Sequence, residues 1–397
     1  MHRLFQRSVF VLSLGLLVAL IAGEFGLHAV RADSNDDGAY KQMNVYQQVL
    51  KHIQAEYVTA PNMNDVTTGA LHGLLESLDA DSSYMTPAEY KIYKDHPVGA
   101  DAQVGLTVSK RFGYAVIVSV LPGSPAEKEQ LTDGDAIESI DGQSTRELSL
   151  AMIRAMLEGK PGSEVVLSVI RPRKPDPDKL TLARTVPSIP ALAEDQFENG
   201  SIVYLKPIVL TQARVDQIAA QLKTAGKDNK KILLDLRDVS QGDEAQGERL
   251  ANFFLKQGTI ATLSGQKFPT QTFTADPSKF ITAAPMAVLV NRGTSGAAEL
   301  AAAALEDNKR ADVVGERTFG EGSVQKTLEL PDGAAVILTV ATYSSPSGKK
   351  FLDDAVTPNV PAGLTPEQQA EEEETGAEPK GDPALDKALS ILKAKTA

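Results

Sequence analysis

The sequence predicts an α/β core built on a mixed sheet, with an inserted β-rich domain carrying two helices and a helical N-terminal unit ahead of it. Three observations lead there. From about Ser188 to Pro361, strand-like runs (SIVYLKPIVL, KKILLDLRD, MAVLVN, ADVVGERT, AAVILTVATY) alternate with helical ones (ARVDQIAAQLK, EAQGERLANFFLK, AAELAAAALED). Such alternation belongs to a layered α/β domain. Between about Gly99 and Pro187 short apolar runs and turns enclose only two helical stretches, and from Tyr40 to about His96 apolar residues recur at helical spacing.

The elements follow in order. Arg3 and Arg7 precede an uncharged apolar run from Val9 to Gly23, and Val30-Arg31-Ala32 suits signal-peptidase cleavage. Residues 1–32 therefore read as a secretory signal. The 15-residue run is short for a spanning helix, which needs about 20 residues. The expected address is across the inner membrane, in the periplasm or cell envelope, with an uncleaved N-terminal anchor as the alternative. No cysteine is present, so disulfides, lipoprotein attachment and thiol redox chemistry are absent. Residues 38–97 form the helical unit, 98–187 the β-rich domain, 188–361 the α/β core and 362–397 an acidic linker with a short terminal helix, PALDKALSILKAK.

Composition excludes several functions. The 397 residues allow two or three domains, and 42% hydrophobic with 23% charged residues is ordinary for a globular protein. A net charge of −12, 5% aromatics and no Trp argue against nucleic acid as a partner. No H-E-x-x-H, paired Cys or Walker-type loop occurs, so neither a metal nor a cofactor is expected. Pairs such as Asp353-Asp354 read as solvated carboxylates.

The stretch from Ala284 to Lys326 carries the chemistry. A buried strand run, APMAVLVN, is followed by the turn RGTSG and the helical run AAELAAAALE. A strand-turn-helix elbow places a side chain at a helix N-terminus, where backbone N–H groups stabilise a developing oxyanion. The segment VVGERTFGEGSVQ then supplies strand, turn and strand, able to set a second group opposite the elbow.

These residues, with LLDLRD at 233–238, resemble the carboxy-terminal processing peptidases, a serine/lysine family carrying a PDZ domain. DADSSYMTPAEY resembles the family's S-L-D-x-x-S-S-Y-M segment, and SPA, DGDAIESIDG and GKPGSEV recur in the order of a PDZ domain. Family members read V-N-G-G-S-A-S-A-S-E at the elbow and F-G-K-G-S-V-Q afterwards, the middle Ser being nucleophile and the Lys base. This chain reads V-N-R-G-T-S-G-A-A-E and F-G-E-G-S-V-Q, which sets Gly296 at the nucleophile position and Glu321 at the base position. Their separation of 25 residues matches the family spacing, so the register holds while both chemical groups are gone. Gln325 matches the residue that helps orient the family's Lys.

Could another residue replace them? Ser295, or less readily Thr294, is one slip away from the elbow apex, but a serine needs an adjacent base. Histidines occur only at 2, 28, 52, 72 and 96, and His52 and His72 sit on helical runs. Alternation turns Lys326 away from Gln325, and Glu321 is a poor base for an alcohol unless burial raises its pKa. The resemblance places the oxyanion site at Gly242 and the backbone at Ala297. The family's D-L-R-N-N-P-G-G is here DLRDVSQGD, which has lost its Pro and one Gly.

The resemblance implies a secreted, catalytically impaired relative that binds polypeptide C-termini through its PDZ domain. By position, Val104, Gly105 and Leu106 form the carboxylate-capturing loop and the helix at Ser149–Leu157, with Ile153, faces it. Polypeptide C-termini or unfolded envelope proteins are the expected partners, and the helical unit implies a homodimer; simple packing of those helices is the alternative. The rival reading is an active serine endopeptidase using Ser295.

Overall fold

Apolar runs that read as continuous become two-faced once paired. In the computed structural model, which describes residues 36–95, 102–111, 113–171, 174, 176–227, 230–363 and 381–395, the strands order as Ala193–Phe197, Ile202–Lys206, Lys231–Asp235, Met286–Val290, Asp312–Gly315 and Val360–Pro361. The first pair is antiparallel and the rest are parallel, giving the expected mixed sheet.

Successive strand side chains point to opposite faces. Ile232, Leu234, Met286, Val288, Val290 and Val313 therefore join one core, beneath the helices Gln212–Lys227, Glu244–Asn252 and Ala297–Asp307. Their neighbours Leu233, Ala287, Leu289 and Val314 join another, sealed by Ala384, Ala388 and Leu392 of the terminal helix Pro383–Ala394. Burial on both faces is why these strands lack visible alternation. Lys231 Nζ donates to the carbonyl of Leu392, a cation at the helix C-terminus where the dipole favours it.

A second sheet runs Ser83–Met85, Ala335–Ser344, Thr259–Ser264, Gln271–Thr274, with Ser323–Glu329 also paired to Ala335–Ser344. Here the expectation of an all-helical segment up to residue 97 is corrected. Ser83–Met85 is a strand in register with Ala335–Ile337, between helices Met63–Glu76 and Pro87–Asp95. Contacts divide the chain at Thr67, inside the first of those helices. In the unit ending there, helix Asp36–Glu56 exposes Tyr40, Met43, Tyr46 and Val49, spaced on one face.

The β-rich segment forms an antiparallel sheet of Leu106–Arg111, Tyr114–Val120, Ala136–Ile140, Glu164–Ile170 and Asp178–Ala183, with Gln143–Ser144 paired to Ala136–Ile140. Val165, Leu167 and Val169 alternate inward against Leu150, Ile153 and Leu157 of helix Leu150–Leu157, whose first turn is capped by the Ser149 hydroxyl. Residues 1–35, which include the segment read as a secretory signal, and residues 364–380 lie outside the described residues; among those described, no helix is long and apolar enough to cross a membrane. The Asp353 side chain is likewise outside them.

Candidate active site

Strand Met286–Val290 ends at Asn291, and the chain turns sharply into helix Ala297–Asp307. Asn291 ties the turn to the neighbouring loop: its Oδ1 accepts from the N–H of Asp238 at 3.0 Å and its Nδ2 donates to Asp238 Oδ1 at 2.7 Å. Thr294 Oγ1 donates to the Leu236 carbonyl at 2.9 Å. Gly296 stands at the helix N-cap with φ 58° and ψ −117°, strained for any side chain but glycine. A Cβ built there meets nothing within 4 Å. The elbow thus combines a bent backbone with open space at the position where the resemblance expects the nucleophile, and carries glycine there.

Ser295 lies one residue earlier and is only 1% exposed. Its N–H donates to the Val239 carbonyl at 3.0 Å and its Oγ donates to Glu321 Oε2 at 2.6 Å. The two positions are therefore joined, but by a serine facing inward. The other oxygen of Glu321 pairs with Arg154 Nη2 at 3.2 Å, and Arg154 Nη1 pairs with Asp81 at 2.9 Å. Glu321 is thus engaged through both oxygens, by Ser295 and by Arg154. Burial raises the pKa of Asp81 first, with Glu321 and Asp79 adding to the rise and Arg154 opposing it.

Glu299 joins the elbow to the facing turn. Wholly buried, its carboxylate accepts from the N–H groups of Gly296 at 3.0 Å, Gly320 at 2.8 Å and Glu321 at 2.8 Å, and from Thr318 Oγ1. Burial pushes its pKa up to about 7 although all four donors oppose the rise. With the folded value above the ordinary 4.5, this group's contribution is full below about pH 4.5 and is lost as pH rises through about 7. Denaturant titrations at pH 5 and 8 should show a decline in stability on the order of 3 kcal/mol from this group. Glu299→Gln should flatten that slope; an unchanged slope would remove Glu299 as its source.

The other expected site residues are dispersed. Gly242 has φ 153° and packs against Leu210, where a Cβ would approach within 2.7 Å, so backbone packing demands that glycine. Ala297 opens the elbow helix, buried. Gln325 is exposed and donates to Ser323 Oγ at 2.7 Å rather than to Glu321. His72 stacks edge-on against Tyr84, His52 bonds Glu56, and His96 is outside the described residues. In the DLRD run, Asp235 and Arg237 hold the terminal helix: Arg237 pairs with Asp235 at 2.6 Å and with Asp382 at 2.7 Å.

The residues expected to bind a peptide lie closer together. A cavity of about 250 Å³ runs between strand Leu106–Arg111 and helix Leu150–Leu157, and its lining also includes Ser240, Gln241 and Glu321. Val104 and Leu106 line it, Ile153 is fully buried beneath, and the Val104 N–H is already donated to the Leu157 carbonyl at 3.3 Å. Gly105 has φ 88°, and a Cβ there would come within 2.1 Å of the Ser124 Cβ; its bareness serves internal packing. Ser240 fixes this domain to the loop after Asp235 through hydrogen bonds with Thr107, at 2.7 Å, and with Ser119. Sequence reasoning missed Arg154; an arginine in the apolar run LAMIRAML, beside Ile153, was the available signal.

An elbow at a helix N-terminus, a facing turn and an attached β-domain with a strand-lined groove define a serine-peptidase scaffold. Residues 195–362 match the model of peptidase family S41 and residues 116–171 that of the PDZ domain. The chain is 29% identical over 333 residues to a carboxy-terminal-processing protease of Bartonella bacilliformis, covering 82% of this chain and 76% of that one. It is 33% identical over 307 residues to a carboxyl-terminal-processing protease of Picosynechococcus, covering 74% and 73%. Its structure resembles the photosystem II D1 C-terminal processing protease with a TM-score of 0.65 at 26% identity, over 80% of this chain and 86% of that one. The chain belongs to the carboxy-terminal processing peptidase family.

Proposed function

We propose that this protein is a pseudopeptidase of the cell envelope, exported by its N-terminal signal segment, that binds polypeptide C-termini in its PDZ groove and does not cleave them. The observation that carries the reading is the hydrogen bond from Ser295 Oγ to Glu321 Oε2. It turns the Ser295 hydroxyl inward at 1% exposure and ties it to a carboxylate already paired with Arg154. A substrate carbonyl has no route to that oxygen while the elbow holds this form.

Binding follows from the groove. An extended peptide adds as a strand along Leu106–Arg111, and its terminal carboxylate meets backbone N–H groups near Gly105 and Leu106. Arg154 occupies part of that edge, since its Nε and Nη2 donate to the Val108 carbonyl at 3.4 and 3.3 Å. A ligand strand reaching Val108 takes that carbonyl from Arg154. Titration with peptides ending in free or amidated carboxylates tests the reading. Amidation should weaken binding about tenfold, because a charge-assisted hydrogen bond contributes roughly 1.5–3 kcal/mol; equal affinities would refute carboxylate capture.

The Ser295–Glu321 contact also supports one rival, a serine endopeptidase with Glu321 as base. That reading requires the elbow to open and Glu321 to leave Arg154. It predicts cleavage that Ser295→Ala abolishes.

A further inference from the structure

We propose that the groove selects C-termini carrying an acidic residue at the sixth position from the end, read by Arg111. The inference rests on the C-terminus-binding reading above and adds the ligand's upstream chemistry.

Past the Arg154–Glu321 pair the groove continues into a second cavity of about 270 Å³, lined among others by Asp79, Asp81, Lys110, Arg111, Phe319 and Glu321. Arg154 and Glu321 line both cavities, so one path follows the whole strand edge. The cations along it differ in how they are satisfied. Arg154 is paired with Asp81 and Glu321, and Lys110 with Glu76 at 2.5 Å and the Leu148 carbonyl at 2.9 Å. Arg111 has no carboxylate partner among the described residues. It is exposed, and its guanidinium lies 4.8 Å above the Phe319 ring.

A guanidinium over an aromatic face uses none of its N–H donors in that contact, which leaves the fork that accepts a carboxylate available. The acids already in this cavity do not compete for it. Asp79 accepts from Ser82 and Thr339, and Asp81 holds Arg154. A further positive charge lies at the same end of the hairpin: Arg146 covers the ring of Tyr114, the residue paired with Arg111.

Register fixes the position. A ligand antiparallel to Leu106–Arg111, with its last residue beside Leu106, advances one residue for each strand residue, about 3.3 Å. Arg111 is five residues beyond Leu106, so it faces the sixth ligand residue from the end. The bulge in this hairpin skips Val118 on the partner strand, so Leu106–Arg111 carries no extra residue and the register along its free edge is unbroken.

The test is a scan on the full chain. Peptides with a free carboxylate carry a single Glu or Gln at each position from the second to the ninth from the end, and affinity is read by fluorescence anisotropy. Glu at the sixth position should bind about three- to fivefold tighter than Gln there, as expected of a partly exposed ion pair. That preference should vanish in Arg111→Gln and in high salt, and persist in Lys267→Ala, a distant charge change. A flat scan in which amidation still weakens binding overturns this inference alone. A preference that survives Arg111→Gln also overturns it. If no peptide binds, the C-terminus-binding reading falls and takes the inference with it.

Discussion

Replacing Gly296 by Ser and Glu321 by Lys together is expected to create measurable cleavage of an unstructured polypeptide, about a thousandfold above the unmodified chain. Removing a serine nucleophile costs roughly a millionfold, and loss of one oxyanion donor roughly a hundred- to thousandfold. The drifted loop at Asp238–Gly242 therefore sets the shortfall. The scaffold favours the restoration at two points. A Cβ at position 296 meets nothing within 4 Å, and the elbow backbone is already bent, though a Ser there bears roughly 1–3 kcal/mol of strain. A Lys at position 321 would face Arg154, whose charge favours the neutral amine that a base requires. Gly296→Ser alone should remain silent, because Glu321 is tied to Arg154 and Ser295 and no amine stands in its place as a base. A folded double variant that binds peptide and cuts nothing would contradict the view that the elbow is an intact relic.

Arg237→Ala is expected to destabilise the protein by about 3–5 kcal/mol, the cost of leaving a buried carboxylate without its partner. Asp235 is fully buried, accepts from Tyr204 Oη at 2.8 Å, and is held by Arg237 Nε at 3.0 Å and Nη2 at 2.6 Å. Burial alone would lower the Arg237 pKa, but Asp235 and Asp382 outweigh it and hold it above the usual range. The same side chain bonds Asp382, which caps helix Pro383–Ala394 through the Leu385 N–H. A melting-temperature fall on the order of 10 °C should follow. A change below about 1 kcal/mol in a denaturant titration would mean that the pair is not what fixes this helix.

These two results bear on what the sequence made legible. The motif residues this chain shares with its family are largely those that hold backbone: Asn291 joins the elbow to the loop at Asp238, Glu299 staples the elbow to Gly320 and Glu321, and Asp235 with Arg237 secures the terminal helix. Asn291 and Glu299, near the two ends of the motif V-N-R-G-T-S-G-A-A-E, are each fixed by several hydrogen bonds. The resemblance sets Gly296 and Glu321 at the positions that carry family chemistry, and both read in the sequence as departures from the motif. The contacts around them did not. The Ser295–Glu321 bond joins residues on two separate loops, and Arg154 reaches Glu321 from a helix of the PDZ domain, so neither leaves a periodic or spacing signal. Strand Ser83–Met85 was hidden for a related reason: three residues between two helices are too few to display a period, and pairing with Ala335–Ile337 decides their conformation. The α/β core was read correctly because its alternation extends over many elements.

The central claim is that the protein binds polypeptide ends without cutting them. The most direct test incubates an unstructured protein ending in an apolar carboxylate with the chain and with its Ser295→Ala variant, following cleavage and binding together. Both should bind equally and neither should cut, since Ser295 Oγ is buried against Glu321. Cleavage by the unmodified chain that Ser295→Ala abolishes would contradict the account and establish a working serine peptidase with a displaced nucleophile.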